Sequence, residues 1–174
     1  MRKLFQTAFL TGLILTILSL PCLALPVGSK APDFELKNIE GQTVRLSDYR
    51  GRFVLLKLGS TRCPSCQEQV DSIAELGDYL EKKDVVFLDV FLRDNKKSIV
   101  ETVGDEDYPK TAEILVGDLD VHRAYRVYLI PRVLLIDPEG KIVRDGSLWT
   151  AYDIKRRIEK VSPDKKGGEK TNSK

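Results

Sequence analysis

The chain of 174 residues holds little histidine, cysteine, tryptophan or methionine: one His, three Cys, one Trp and one Met. With His122 alone, no base-and-acid pair of imidazoles can be assembled. A closed zinc site needs four ligands, and once Cys22 is assigned to the leader the domain's two cysteines and one histidine leave it short. Haem attachment needs a histidine directly after the second cysteine of a C-x-x-C pair, where this chain has Gln67. Charge of one sign is also missing. Lys and Arg number 28 against 26 acidic residues, and the excess lies in Arg2 and Lys3. Without a basic block, no nucleic-acid partner is expected. Internal repeats are absent, and 42% hydrophobic with 31% charged residues fits one globular domain.

Residues 1–24 read as a signal peptide. Arg2 and Lys3 precede an apolar stretch from Leu4 to Leu20, then Pro21 and the small-residue site ending at Ala24. The location expected is therefore extracytoplasmic, periplasmic or secreted after cleavage. The alternative is a membrane anchor formed by residues 4–23, against which stand Gln6, Thr7, Thr11 and Thr16. Lipidation at Cys22 fits badly after Pro21. Residues 163–174 carry no apolar residue to bury and read as a disordered tail. The domain is expected over residues 25–162.

With Cys22 in the leader, Cys63-Pro64-Ser65-Cys66 is the only cysteine pair left to the domain. A bridge closing so short a loop removes little entropy from the unfolded chain, so it serves poorly as a staple. A dithiol that cycles between oxidation states is the reading that survives.

The runs Phe53–Leu58 and Val85–Leu92 suit buried parallel strands, and Val133–Ile136 is a third such run. Val70, Ile73, Ala74, Gly77 and Leu80 fall at helical spacing between the first two, opposite Glu68, Asp71, Glu75 and Asp78. Thr43–Leu46 alternates as a short strand, and Asp137-Pro138-Glu139-Gly140 turns into Lys141–Val143 as a hairpin. Thr150 and Asp153 have capping spacing ahead of Ile154, Ile158 and Val161, the stripe of a last helix. Tyr125, Tyr128 and Trp149 read as packing residues, and His122 as a surface or capping residue on a short helix.

Ala31-Pro32-Asp33-Phe34-Glu35-Leu36, Gly41–Gly51, the Cys63–Cys66 motif and Ile130–Ile142 together resemble the thioredoxin superfamily, most closely its exported TlpA/ResA-type branch within the AhpC/TSA group. The resemblance implies an α/β thioredoxin-like fold, a central mixed sheet flanked by helices with an N-terminal extension. It implies a thiol-disulfide oxidoreductase without cofactor that exchanges its dithiol with protein thiols and disulfides and is served by a membrane or periplasmic electron-donor protein. Cys63 is then the nucleophile and Cys66 the resolving thiol. Pro131, expected cis, and Ile130 would bind the partner segment.

Three positions depart from that pattern. Arg62 stands where a tryptophan is usual, Gly59 where an aromatic is common, and Lys57 where relatives carry an acid or asparagine. Asp71 replaces a helix-kinking proline, so a straighter helix is expected. Arg62, and Lys57 if it points that way, would lower the Cys63 pKa; otherwise Arg62 is a solvated loop charge and Lys57 leaves at the sheet edge. Two other activities compete. A peroxiredoxin-like peroxidase would use Cys63, with Ser60 three residues before it, but has Leu56 in place of a proline and Arg132 one residue off the expected arginine. A Sco-like copper-binding protein would need another cysteine spacing and a histidine near Tyr128.

Overall fold

The computed structural model describes residues 25–161; the expected leader and tail lie outside them. Seven strands form one sheet: β1 (Glu35–Asn38), β2 (Thr43–Arg45), β3 (Phe53–Gly59), β4 (Val85–Leu92), β5 (Ala112–Gly117), β6 (Arg132–Ile136) and β7 (Ile142–Gly146). Their spatial order is β2-β1-β5-β4-β3-β6-β7. β3, β4 and β5 run parallel, and every other neighbouring pair is antiparallel. The helices are α1 (Pro64–Ala74), α2 (Gly77–Lys82), α3 (Lys96–Val103), α4 (Leu119–Ala124) and α5 (Ala151–Val161). None among the described residues is long and apolar enough to cross a membrane.

β3 and β4 are apolar nearly throughout because both faces of the sheet are covered. On one face Val54, Leu56, Leu58, Val86, Leu88 and Val90 pack with Phe34, Leu46 and Tyr125. On the other, Leu55, Phe87, Val133 and Leu135 meet Ile73 and Leu80 from α1 and α2, Trp149, and Ile154 and Ile158 from α5. Each such aliphatic side chain contributes roughly 1.5–3 kcal/mol on burial. The Asp153 amide donates to Thr150 Oγ1 at 3.2 Å, so Thr150 caps α5 as its spacing predicts.

Two sequence expectations change. β6 is buried like β3 and β4 but runs antiparallel to β3; an apolar run reports covered faces, not direction, and the third parallel strand is β5. The helix expected to continue through Leu80 stops after Ala74 and restarts at Gly77, so replacing the kinking proline by Asp71 does not give one straight rod.

Candidate active site

The loop leaving β3 is tied down before it reaches the cysteines. Thr61 donates its backbone N–H and its hydroxyl to the two carboxylate oxygens of Asp94, at 2.9 and 2.8 Å. The Cys63 amide then bonds the Ser60 carbonyl at 3.2 Å. Pro64 occupies the first helical position, where a missing N–H costs nothing. Cys63 is thereby the N-cap of α1, and its Sγ accepts the Cys66 N–H at 3.2 Å. Cys63 and Cys66 form a disulfide with Cα atoms 5.2 Å apart. Cys63 is partly exposed, whereas Cys66 is 1% exposed. Free amides and the helix dipole at this end favour a thiolate on the capping sulfur. Cys63 is thus the more accessible sulfur of the pair.

The Ile130–Pro131 peptide bond is cis. It closes a run of exposed apolar residues: Tyr128 and Leu129 are each 80% exposed and Ile130 is also exposed. Tyr125 and Trp149 pack in the core as expected, but Tyr128 does not. Its aromatic ring looks like core material in sequence, yet it lies on the loop between α4 and β6, beyond the sheet. His122 sits on α4 as foreseen, half-buried, at a hollow shared with Arg62 and Ile130.

Lys57 takes neither place expected for it. β3 lies between β4 and β6, so it has no open edge, and Lys57 stands in register with Asp89 on the parallel neighbour. Its Nζ lies 2.8 Å from both Asp89 oxygens, with the two residues 1% and 0% exposed. Phe91 offers its ring face 4.9 Å from Nζ. The cation is therefore already countered by an anion inside the sheet. Tyr108 Oη extends the cluster, 2.8 Å from Asp89 Oδ2 and 2.9 Å from Glu106 Oε2. A phenol has one proton to donate, so two ionised carboxylates cannot both be satisfied by it. Burial, the largest influence, pushes the Glu106 carboxyl above its ordinary value, and nearby Asp89 and Asp71 act in the same direction. The Tyr108 hydrogen bond and the Lys57 charge pull the other way.

Gly59 joins this cluster to the disulfide. A Cβ built on it would lie 3.1 Å from Cys66 Sγ and 3.3 Å from Lys57 Cε. The buried sulfur and the lysine stem thus flank the space that the missing side chain leaves. Arg62 is exposed on the rim. Asp89, Tyr108, Glu106 and Asp94 escaped the sequence reading. One signal was available for Asp89: Lys57 and Asp89 each stand fifth in otherwise apolar runs.

Arg132 bears on the peroxidase alternative. Its Nε and Nη2 donate to Asp145 Oδ1 and Oδ2 at 3.1 and 2.6 Å, and Nη1 donates to the Tyr125 carbonyl. The guanidinium is committed across β6 and β7 instead of facing Cys63.

A thioredoxin-like sheet with a C-x-x-C disulfide at a helix start and a cis-proline loop defines a class, the thiol-disulfide oxidoreductases. Comparison with known proteins agrees. Residues 27–145 match the AhpC/TSA family, and the chain belongs to that family. The thiol-disulfide oxidoreductase ResA of Geobacillus thermodenitrificans is 35% identical over 143 residues, 80% of each chain. The thioredoxin domain of a thiol-disulfide oxidoreductase from Bacteroides vulgatus superposes with a TM-score of 0.71 at 24% identity, covering 79% of this chain and 99% of that one. The exposed lipoprotein thioredoxin of Streptococcus pneumoniae does so at 0.63 and 28%, covering 74% and 99%.

Proposed function

We propose that the chain works outside the cytoplasm, exchanging its Cys63–Cys66 couple with cysteines of exported proteins. Cys63 thiolate attacks a partner disulfide and releases one partner thiolate; Cys66 then loses its proton and attacks Cys63 Sγ, releasing the second. The partner gains two electrons and the chain is left oxidised, to be restored by a membrane or periplasmic donor protein. Ile130 and Pro131 line the path of the partner segment, with Tyr128 and Leu129 extending it; proline, lacking an N–H, leaves neighbouring backbone groups free to pair with an extended strand. Arg62 at the rim favours the Cys63 thiolate, and Lys57, countered by Asp89, acts on the couple from below. The export reading rests on the features of residues 1–24.

The contrast in access between Cys63 and Cys66 carries the reading, because it supports attack by the partly exposed sulfur and resolution by the buried one. The test is the midpoint potential of the couple in defined thiol buffers, with free thiols trapped by a mass tag. A value below about −230 mV marks a reductant, and one near about −120 mV an oxidant. Absence of a reversible couple overturns the proposal. Cys66→Ala is expected to accumulate mixed disulfides with exported proteins, and Cys63→Ala to form none.

A further inference from the structure

The surface around Arg62, the residue before Cys63, is divided by charge. On the α1–α3 side, a hollow of about 600 Å³ is lined by Asp71, Glu101, Asp105 and Glu106, with Arg62 at its edge. On the other side, a cleft of about 240 Å³ runs from Ser60 and Arg62 to Tyr128 and Ile130, with Arg93 and His122 in its wall and no acidic residue. Leu92, Val127, Tyr128 and Ile130 give this cleft apolar walls. Arg62 and Arg93 are exposed, and among the described residues neither guanidinium is held in an ion pair. The nearest acid in sequence, Asp94, spends both oxygens on Thr61. Arg93 is also held at φ +61, a conformation uncommon for a side-chain-bearing residue, directly after the buried end of β4.

A guanidinium keeps its charge at every physiological pH and pairs with carboxylates through a planar fork. Arg93 lines the apolar cleft with no acid beside it there, and Arg62 stands between the cleft and the acidic hollow, held in no ion pair among the described residues; together they form an anion-selective approach next to the reactive sulfur. We propose that the cleft selects partner segments that carry carboxylate side chains beside the reacting cysteine. The acidic hollow on the far side of Arg62 repels the same carboxylates, so charge also sets the direction in which the segment lies. This inference rests on the exchange reading above and adds the substrate class to it.

The test uses the reduced protein and two synthetic peptide disulfides, identical except that Asp residues flank the cysteine in one and Lys residues in the other. Partly exposed charge pairs are worth about 0.2–1 kcal/mol each. Two of them predict kcat/KM about two- to thirtyfold higher for the Asp peptide, with the ratio shrinking as salt is raised. Arg93→Gly removes one charge while suiting the positive φ, and the ratio should fall by about half or more; Arg93→Gly with Arg62→Gln should bring it to about one. Equal rates for the two peptides, a preference for Lys, or a ratio unchanged in both variants overturns the inference and leaves the exchange reading intact. Failure of both peptides to react overturns the exchange reading itself, and this inference with it.

Discussion

The Gln69 side chain on α1 holds the backbone of Trp149 by two hydrogen bonds, donating from Nε2 to the Trp149 carbonyl at 2.8 Å and accepting the Trp149 N–H on Oε1 at 2.5 Å. Gln69 is fully buried, and the pair fixes the segment entering α5 against the helix that Cys63 caps and Cys66 belongs to. Gln69→Leu leaves a donor and an acceptor without partners in the core, each costing about 1–3 kcal/mol. A drop of about 2–6 kcal/mol in unfolding free energy is expected from denaturant titration of the oxidised protein. A change within 0.5 kcal/mol, of the size usual for surface substitutions, would show that water replaces the amide.

Lys57 and Asp89 should be far more costly to separate than to replace together. Lys57→Met strands a buried carboxylate and is expected to destabilise by about 3–5 kcal/mol. Lys57→Met combined with Asp89→Leu should recover most of that loss, since a buried ion pair and an apolar pair of similar volume are often equivalent. If the double variant is as unstable as the single, the pair is doing more than neutralising itself.

Glu106 supplies a pH test. Its folded-state pKa lies above the ordinary carboxyl value, mainly through burial. The folded protein therefore holds this proton where the unfolded chain has released it. The contribution is fully present below the unfolded pKa and is lost as pH rises through the folded one. Glu106→Gln, which stays neutral, should gain stability over the parent near pH 7 and little in acid. Denaturant midpoints of both proteins across this span would check it; a parallel pair of curves contradicts the assignment.

The alkaline limit has a separate cause. Burial, with Glu113 and Asp48 nearby, pushes the Tyr49 phenol from 10 to about 12. Burial first and Asp33 second raise Tyr125, whose hydroxyl donates to the Pro32 carbonyl at 2.7 Å. Both phenols keep their protons longer folded than unfolded, so stability falls as pH climbs from about 10 toward 12. Tyrosinate absorbance should lag for these residues until the protein unfolds. Titration of every tyrosine at about 10 without unfolding would contradict this.

Sequence reading succeeded where one local rule governs an element. Phe53–Leu58, Val85–Leu92 and Val133–Ile136 are strands because such runs must be buried on two faces, and Thr150 caps α5 because its hydroxyl reaches Asp153 locally. It missed β5, where only Ile114 and Leu115 are buried, and α3, whose single buried residue is Ile99. Neither has enough pattern to stand out. The Lys57–Asp89 pair depends on strand register, and the Arg62–Arg93–His122 cleft on three distant loops and helices meeting at one end of the sheet. Such juxtapositions arise only in tertiary structure. Tyr128 misled because an aromatic side chain used at a surface looks the same in sequence as one used in a core.

Gly59 makes positions 57, 59 and 66 a single unit of inheritance. Grafting a larger residue into position 59 alone would press it against both Cys66 Sγ and Lys57 Cε. Such a transplant would need Cys66 Sγ and the Lys57 stem to give by a few tenths of an ångström, or a shorter residue at 57 that would in turn abandon Asp89. A redox centre of this kind cannot be exchanged between relatives one position at a time, and chimaeras that split this trio across a crossover should inherit a misfit beneath the resolving cysteine.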